Sequence, residues 1–413
     1  MSKKLSPSKK NARKKVLIGA QSWAYGPAGK ASAIAHSMKR HDVSTEFIGT
    51  TTSYLLCKKS GHFDKLHECN SFTDYNKLDK KQYSAVISVM DPFLALWAYK
   101  NDLPVYYADS MSWFWIWKNN EKVHNLLPKL KENNLIFGFN ALEKLKPDHR
   151  QLVAHLLSER IYSQGNPQII EQTSHKAINA GSLIDLSYRK EMMRDTVLIS
   201  LSGGISPATN LESAVNYAKL VLDLLADKIK EWPAAKRFIV TGHPDVIAKI
   251  VSPNPIIKLK ALTHPQFLSE LNRALVVFVP CGFTTVYESL AYGAPVVLLP
   301  ENHNGHAYEY LTISQHAINK ENTFPHFLFT LKTASLDDIN PIEKSMKLID
   351  KHTKKYFKDS DYRASFKVKL NDHMKLLEKR DEILKKQLDA VLMLLPGFNG
   401  AEVSAKDIVV RMK

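Results

Sequence analysis

Short runs of apolar, mostly β-branched residues alternate along this chain with longer stretches of helical periodicity, and this alternation constrains the fold more than any other feature. Strands separated by roughly ten to thirty helical residues must be joined by crossovers, which produce parallel sheets. The predicted strands of the first half are residues 16–20, 46–50, 85–90, 105–108, 135–139 and 177–184. Those of the second half are residues 197–201, 237–241, 256–260, 275–279 and 296–299. The predicted fold class is therefore α/β.

The strands fall into two sets, and the charged stretch DLSYRKEMMRD at residues 185–195 marks the predicted boundary between them. Two such sets predict two Rossmann-like domains that face each other across a cleft, at residues 15–187 and 188–335. Residues 336–413 are Lys-rich with apolar residues at spacings of three and four, and they predict a helical C-terminal extension. Residues 1–14 predict a disordered basic tail rather than a secretion signal, because the apolar run that follows is too short for a signal core.

The formal net charge of +16 over 413 residues favours contact with phosphate-rich surfaces. The charge does not distinguish nucleic acid from anionic lipid, and a solvated Lys-rich surface explains it equally well. No apolar run reaches the roughly 18 residues that a membrane-spanning helix needs. Cys57, Cys69 and Cys281 show neither metal nor disulfide spacing, which favours a reducing cytoplasm. Peripheral association with a membrane or with nucleic acid stays open, as does the oligomeric state.

The turn after the first strand, SWAYGPAGKASA, has only part of the pattern of a phosphate-binding P-loop. A P-loop needs a Gly separated by four residues from its Gly-Lys pair and a Ser or Thr directly after the Lys. Ala24 and Ala31 occupy those two places, and a helix is predicted over residues 30–40. We therefore disfavour an ATPase and predict that the turn lines an acceptor site. Its candidate acceptor-binding residues are Ser22, Tyr25 and Gly26.

Two glycine-containing turns in the second half predict a phosphate site. The segment LISLSGGISPATN places Gly203 and Gly204 at the carboxyl end of a strand, where α/β sheets bind ligands. The segment PCGFTTVYE starts a helix directly after another strand, so free backbone amides and the positive helix end could hold a diphosphate without a metal. Glu288, about one helical turn further, is placed to accept hydrogen bonds from ribose hydroxyls. The candidate residues of the helix start are Gly282, Phe283, Thr284 and Thr285.

The stretch GFTTVYESLAYGAPVVLLP resembles the donor-binding region of GT-B glycosyltransferases, particularly the UDP-glycosyltransferases and the peptidoglycan lipid N-acetylglucosaminyltransferase. The resemblance implies a nucleotide-sugar donor, most readily a UDP-sugar, inverting chemistry, and no metal or other cofactor. It also implies that the loops holding His243 and His264 surround the nucleotide. The chain departs from the family in the polar loop that follows, where a sugar-binding Gln is frequent. The candidates there are Glu301, Asn302, His303, Asn304 and His306.

The only Asp-x-Asp pair in the sequence, Asp359 and Asp361, lies in the Lys-rich helical region and not after a buried strand. We interpret it as a solvated turn and not as a metal site. No other spacing suggests a metal ligand set.

Direct displacement of a nucleoside diphosphate by an acceptor hydroxyl needs a general base. Asp109, followed closely by Trp113 and Trp115, is the first candidate, and Asp91 is the second. Both carboxylates come at the carboxyl ends of predicted strands. The aromatic residues are suited to stacking on a sugar or a base, although such clusters are more often part of a core.

The sequence therefore predicts a GT-B glycosyltransferase, with two alternatives. One is a sugar-nucleotide 2-epimerase of the same fold, and the other is a non-catalytic nucleic-acid-binding protein. For a transferase, the net charge and aromatic cluster favour an anionic acceptor, either a modified base in DNA or a lipid-linked group, with a small polyhydroxylated acceptor as a further alternative.

Overall fold

A computed structural model describes residues 13–22, 25–112, 115, 117, 119–165, 171–203, 205, 209–228, 234–303, 305–331 and 342–412 of the chain. The first domain contains a parallel sheet of seven strands in the order β3-β2-β1-β4-β5-β6-β7. Its elements are β1 (Lys15–Ala20), α1 (Gly26–Arg40), β2 (Ser44–Gly49), α2 (Thr51–Ser60), β3 (Lys65–Glu68), β4 (Ala85–Val89), α3 (Pro92–Lys100), β5 (Val105–Asp109), α4 (Glu121–Glu132), α5 (Leu135–Glu143), α6 (Pro147–Leu157), β6 (Arg160–Ser163) and β7 (Ala177–Asn179).

The second domain contains a parallel sheet of five strands in the order β10-β9-β8-β11-β12. Its elements are β8 (Thr196–Ser200), α7 (Leu211–Ala226), β9 (Arg237–Thr241), α8 (Pro244–Ile247), β10 (Ile257–Lys260), α9 (His264–Leu271), β11 (Ala274–Val279), α10 (Phe283–Ala291), β12 (Val296–Leu298), α11 (His306–Ile313) and α12 (Lys320–Thr323). Four further helices complete the chain: α13 (Ile342–Lys358), α14 (Ser360–Leu377), α15 (Arg380–Leu392) and α16 (Gly400–Arg411).

The C-terminal helices divide between the two domains. Tyr356 and Leu370, on α13 and α14, pack into the core of the second domain with Val197 and Phe278. Helix α16 instead returns to the first domain, where its buried apolar face joins the core around α1. The crossing is tight: a Cβ atom on Gly400 would lie 2.5 Å from the carbonyl oxygen of Gly181, so only glycine fits there. Part of the predicted C-terminal extension is thus built into the first domain.

One predicted strand is wrong, and two strands escape prediction. Residues 135–139 lie in α5, where the Asn134 side chain accepts the Phe137 N–H at 2.9 Å and caps the helix. Their apolar run is compatible with either a strand or a buried helix, so periodicity could not decide. The strands β3 and β6 were not predicted because they are short and contain polar residues, which weaken the apolar pattern of a strand. Helix α1 starts at Gly26, earlier than predicted, and the predicted strand 177–184 is ordered as β7 only over its first three residues.

The alternation of apolar strands and helices produces two three-layer α/β units, in which helices cover both faces of the central parallel strands. Strands β1, β4 and β5 are almost completely buried, as are β8 and β11. Among the helices of the described residues, none combines the length and apolar character needed to cross a bilayer.

Candidate functional site

A cleft of about 1150 Å³ separates the two domains and is lined by residues from both. It lies at the carboxyl ends of the strands, where the strand order of each sheet reverses. In the first sheet this switch lies between β1 and β4, and in the second it lies between β8 and β11. Ligands of α/β proteins bind at such switch points because the loops diverge there and leave a crevice.

The start of α10 faces this cleft. Gly282 is the N-cap residue, and Gly282, Phe283, Thr284 and Thr285 all line the cleft. The first backbone N–H groups of a helix have no partner within the helix, and they form the positive end of its dipole. The predicted phosphate-binding residues are therefore together at one side of the cleft. Gly203, which follows the neighbouring strand β8, also lines the cleft, while Gly204 lies outside the described residues.

Glu288, one turn into α10, is paired with a residue of the neighbouring helix. Its carboxylate accepts a hydrogen bond from His264 Nε2 at 2.7 Å, and only 2% of the Glu288 residue is exposed. Burial lowers the pKa of His264, but the Glu288 carboxylate and Asp185 outweigh that effect, so the pKa lies above its usual value. Both Glu288 and His264 line the cleft, as predicted residues of the donor site.

Sequence reasoning missed a cluster of buried charges beside this pair. Lys30, on α1 of the first domain, donates a hydrogen bond to Thr284 Oγ1 of the second domain. Burial lowers the pKa of Lys30 to about 8, against the opposing effect of Glu288 and Glu309. Burial raises the pKa of Glu309, on α11, to about 8, and its carboxyl group accepts the Phe283 N–H. Lys30 was visible in the Gly-Lys pair of the first turn, but the failed P-loop pattern obscured its role.

The polar loop after β12 contributes three of its candidates to the cleft, namely Asn302, His303 and His306. Asn302 Nδ2 donates to the Leu201 carbonyl at 3.0 Å. Burial holds the pKa of His306 well below its usual value, and that of His303 at about 4, so both imidazoles are neutral at pH 7. Asn304 lies outside the described residues.

Glu301 is not a donor-site residue, contrary to the prediction. It is completely buried, and its carboxylate accepts the backbone N–H of Phe329 at 2.5 Å and of Thr330 at 2.8 Å, together with the Thr330 hydroxyl at 2.8 Å. These bonds hold the segment after β12 and leave Glu301 outside the residues that line the cleft. A carboxylate saturated in this way has a structural role.

His243 is likewise corrected from a donor-binding residue to a structural one. It caps α8 by accepting the Asp245 N–H at 3.2 Å and stacks against Tyr25 with ring centroids 6.2 Å apart. Burial lowers its pKa, and it does not line the cleft. Its contact with Tyr25 joins the two domains.

Asp109 is buried behind the cleft and is corrected as the first candidate base. Its carboxylate is 0% exposed, and it accepts hydrogen bonds from the Met111 N–H at 2.8 Å, Trp115 Nε1 at 2.8 Å and His155 Nε2 at 2.7 Å. An acceptor hydroxyl cannot reach it without displacing one of these donors. Its hydrogen bond to Trp115 Nε1 holds the indole ring of Trp115, a residue that lines the cleft.

Asp91, the second candidate base, does reach the cleft. It follows β4 at the switch point of the first sheet and lines the cleft. Its Oδ1 atom caps α3 by accepting the N–H groups of Phe93 at 3.0 Å and Leu94 at 3.2 Å. Burial raises the pKa of Asp91 and outweighs the hydrogen bonds that the carboxylate accepts from Leu94, Phe93 and the Tyr75 hydroxyl. The preceding residue, Met90, has a φ of 56°, an uncommon left-handed backbone for a side chain of this size.

Only some of the predicted acceptor-binding residues line the cleft. Tyr25, Gly26 and Trp115 line the cleft. Ser22 does not: its hydroxyl donates to the Thr50 carbonyl at 2.9 Å and contacts Thr51 Oγ1 at 2.5 Å, which ties the turn to α2. Ser22 is therefore corrected to a structural role, while Trp113 lies outside the described residues.

Basic side chains of the first domain form a further group that the sequence did not single out. We call them the basic rim; they line the cleft and are Lys59, Lys122, Lys144, Lys146 and Arg150. A concentration of cations on the first-domain side of the cleft raises the local concentration of anionic ligands.

The described residues contain one group with metal-ligand side chains, which lies where the first domain meets the linker: His36, His62 and Asp185. The two imidazole rings are stacked, with centroids 4.2 Å apart and planes at 26°. His36 Nδ1 is hydrogen-bonded to Asp185 at 2.7 Å, and the ring nitrogens of His62 contact Ser32 Oγ at 2.9 Å and the Tyr188 hydroxyl at 3.2 Å, so hydrogen bonds account for the arrangement of these side chains. Asp359, of the Asp-x-Asp pair, caps α14 by accepting the Tyr362 N–H at 2.9 Å.

No protein-family model matches the chain, and no curated protein matches it in sequence. Among solved structures, the glycotransferase of kitacinnamycin is 11% identical with a TM-score of 0.48, over 97% of this chain and 99% of that chain. Medicago truncatula UGT71G1, complexed with UDP-glucose, is 9% identical with a TM-score of 0.47, over 98% and 99% of the two chains. A Listeria monocytogenes protein described as a UDP-N-acetylglucosamine 2-epimerase is 12% identical with a TM-score of 0.49, over 96% and 95%.

Two parallel Rossmann-like sheets, a cleft between their carboxyl edges and a last helix that returns to the first domain constitute the GT-B fold. The predicted fold class is confirmed. GT-B proteins include both transferases and epimerases, so the function of this chain is inferred from the residues of its own cleft.

Proposed function

We propose that this protein is a glycosyltransferase that transfers a sugar from a nucleotide-sugar donor, a UDP-sugar, to an acceptor hydroxyl without a metal ion. The observation that carries the proposal is the start of α10, whose first turn lines the cleft beside the Lys30 ammonium. The backbone N–H groups of the helix start, two threonine hydroxyls and the positive helix end together suit a diphosphate.

The second domain supplies the donor pocket. The diphosphate lies on the first turn of α10, and the ribose is within reach of the Glu288–His264 pair. The sugar then projects toward Asn302 and His306, which line the cleft next to the helix start. A neutral His306 can donate one hydrogen bond and accept another, which suits sugar hydroxyls.

The first domain supplies the general base, and Asp91 is our candidate. Its carboxylate takes the proton of the acceptor hydroxyl while that oxygen attacks the anomeric carbon of the donor sugar. The bond from the anomeric carbon to the phosphate oxygen breaks, and the nucleoside diphosphate leaves with the bonding electron pair. One direct displacement of this kind inverts the anomeric configuration. The raised pKa of Asp91 brings it closer to the operating pH, where a general base works best.

The acceptor is proposed to be anionic and lipid-linked. The basic rim lines the first-domain side of the cleft, and α5, whose C-cap is Lys144 of that rim, carries two exposed apolar residues: Ile136, 62% exposed, and Phe137, 38% exposed. We call these two residues the α5 patch. Lys144 lies eight positions after Ile136, or about 12 Å along a helix. Exposed apolar side chains combined with lysines match the interface of an anionic bilayer.

Release of the nucleoside diphosphate tests the reaction class. The protein is incubated with a panel of nucleotide sugars, with and without anionic vesicles that contain candidate lipid-linked acceptors. A transferase releases the diphosphate faster when an acceptor hydroxyl is present. An epimerase instead converts the sugar configuration without an acceptor, and a non-catalytic protein leaves every donor intact, so either result would overturn the proposal.

Binding across a salt series tests the acceptor. Anionic vesicles should bind the protein, and the double variant Ile136→Ser/Phe137→Ser should bind them more weakly with unchanged UDP affinity. Ile318→Ser is the matched control because Ile318 is fully exposed in the second domain. Steep salt-dependent binding to duplex DNA without vesicle binding would favour a modified base as acceptor, and binding to neither would refute an anionic acceptor.

A further inference from the structure

Lys30 is an unusual feature of the cleft because its ammonium group is buried between two domains. It belongs to α1 of the first domain, it is 3% exposed, and its hydrogen bond to Thr284 Oγ1 reaches the second domain. Glu288 and Glu309 act on the ammonium through space only, without a hydrogen bond to it. The lysine side chain is therefore held at one point by a neutral hydroxyl.

The electrostatics of this arrangement are unfavourable for the protein alone. A buried charge without a close counter-ion is costly, and the positive end of α10 adds to the cost of placing a cation there. If this position served only to stabilise the domain interface, an apolar or neutral side chain would be more favourable there than a lysine. The buried positive charge becomes favourable when an anion contacts both the ammonium group and the start of α10.

A second side chain at the same point has unused hydrogen-bonding capacity. His306 is 6% exposed, and its Nδ1 atom is buried without a partner among the residues that the structure describes. Its ring lies against the N-cap of α10: a Cβ atom on Gly282 would be 3.8 Å from His306 Nε2. A buried polar atom without a partner is destabilising, and a bound ligand can relieve that cost.

We propose that Lys30 is a catalytic residue that the acceptor domain supplies to the donor site. It contacts the diphosphate of the nucleotide sugar and stabilises the negative charge that develops on the leaving oxygen as the glycosidic bond to phosphate breaks. This inference rests on the proposed function and deepens it, because it assigns to one side chain the charge neutralisation that a metal ion supplies in other transferases.

Two consequences follow from the position of Lys30. Because the lysine and the helix start belong to different domains, the complete diphosphate site exists only when the domains stand as they do here. The Glu309 carboxyl group accepts the Phe283 N–H, so the diphosphate must compete with it for a donor of the first helical turn. Protonated Glu309 would compete less than its carboxylate does.

The test compares UDP with uridine in calorimetric titrations of the full-length protein. Lys30→Met should weaken UDP binding by roughly 10–100-fold, the range expected for a charge-assisted hydrogen bond, and leave uridine binding unchanged. It should also lower kcat for sugar transfer. Lys30→Gln removes the charge but can still bond to Thr284, and it should show the same selective loss. Lys30→Arg should restore part of the UDP affinity.

Lys39→Met is the matched control. Lys39 lies at the end of the same helix, outside the cleft, and contacts Asp64 at 3.4 Å. It should change neither UDP affinity nor kcat. A folded Lys30→Met or Lys30→Gln protein with normal UDP affinity and normal kcat would overturn the assignment of Lys30. A wild-type protein that binds neither UDP nor another nucleoside diphosphate would overturn the proposed function itself.

Discussion

Replacing Glu288 by Gln tests the buried Glu288–His264 pair of the proposed donor pocket. The substitution keeps the shape of the side chain and an oxygen that can accept from His264, and it removes one negative charge. A charge-assisted hydrogen bond is worth about 1.5–3 kcal/mol and a neutral one about 0.5–1.5 kcal/mol, so the variant should lose about 1–2 kcal/mol of folding free energy. This energy needs no reduction for solvent screening because both side chains are buried and their hydrogen-bonded atoms are 2.7 Å apart.

The loss should depend on pH, and the direction follows from His264. Because Glu288 holds the folded-state pKa of His264 above its ordinary value of 6.5, the stabilisation is fully present below pH 6.5 and is lost as the pH rises through the folded-state pKa. Urea denaturation of wild type and variant, at about pH 6 and about pH 9, measures the difference. NMR titration of His264 should show a lower pKa in the variant. An equal loss at both pH values, with an unchanged titration, would refute the ion pair.

Three further outcomes are expected. Asp91→Asn should lower turnover by about two to four powers of ten with little change in donor affinity, because Asn still caps α3; a fully active variant would remove Asp91 as the base. Asp109→Asn should instead reduce folding stability by about 1.5–3 kcal/mol, measured by urea denaturation, because its three donors lose a charged acceptor. UDP affinity should fall as the pH rises through about 8, where Lys30 loses its positive charge and Glu309 becomes negative; calorimetry showing constant affinity from pH 7 to 9 would contradict this.

The sequence alone was sufficient for the fold class and for the helix start that lines the cleft. Parallel strands buried on both faces have a strong apolar signature, so most strands of both sheets could be located without tertiary information. The PCGFTTVYE segment was informative because a strand, a glycine and a helix start occur there in direct succession. Local order of this kind places backbone amides at a known edge of the sheet, and Gly282 to Thr285 do line the cleft.

Only the tertiary structure decided which side chains of the loops reach the cleft. Asp91 and Asp109 both follow a strand, but β4 borders the switch point and β5 lies one strand further out, a difference set by the strand order. Glu301 and His243 are polar residues of the kind expected in a ligand site, but their side chains accept hydrogen bonds from backbone N–H groups and do not line the cleft. Lys30 meets Thr284 across 254 positions of sequence. Contacts of that kind depend on how two domains pack, and local sequence patterns contain no record of that packing.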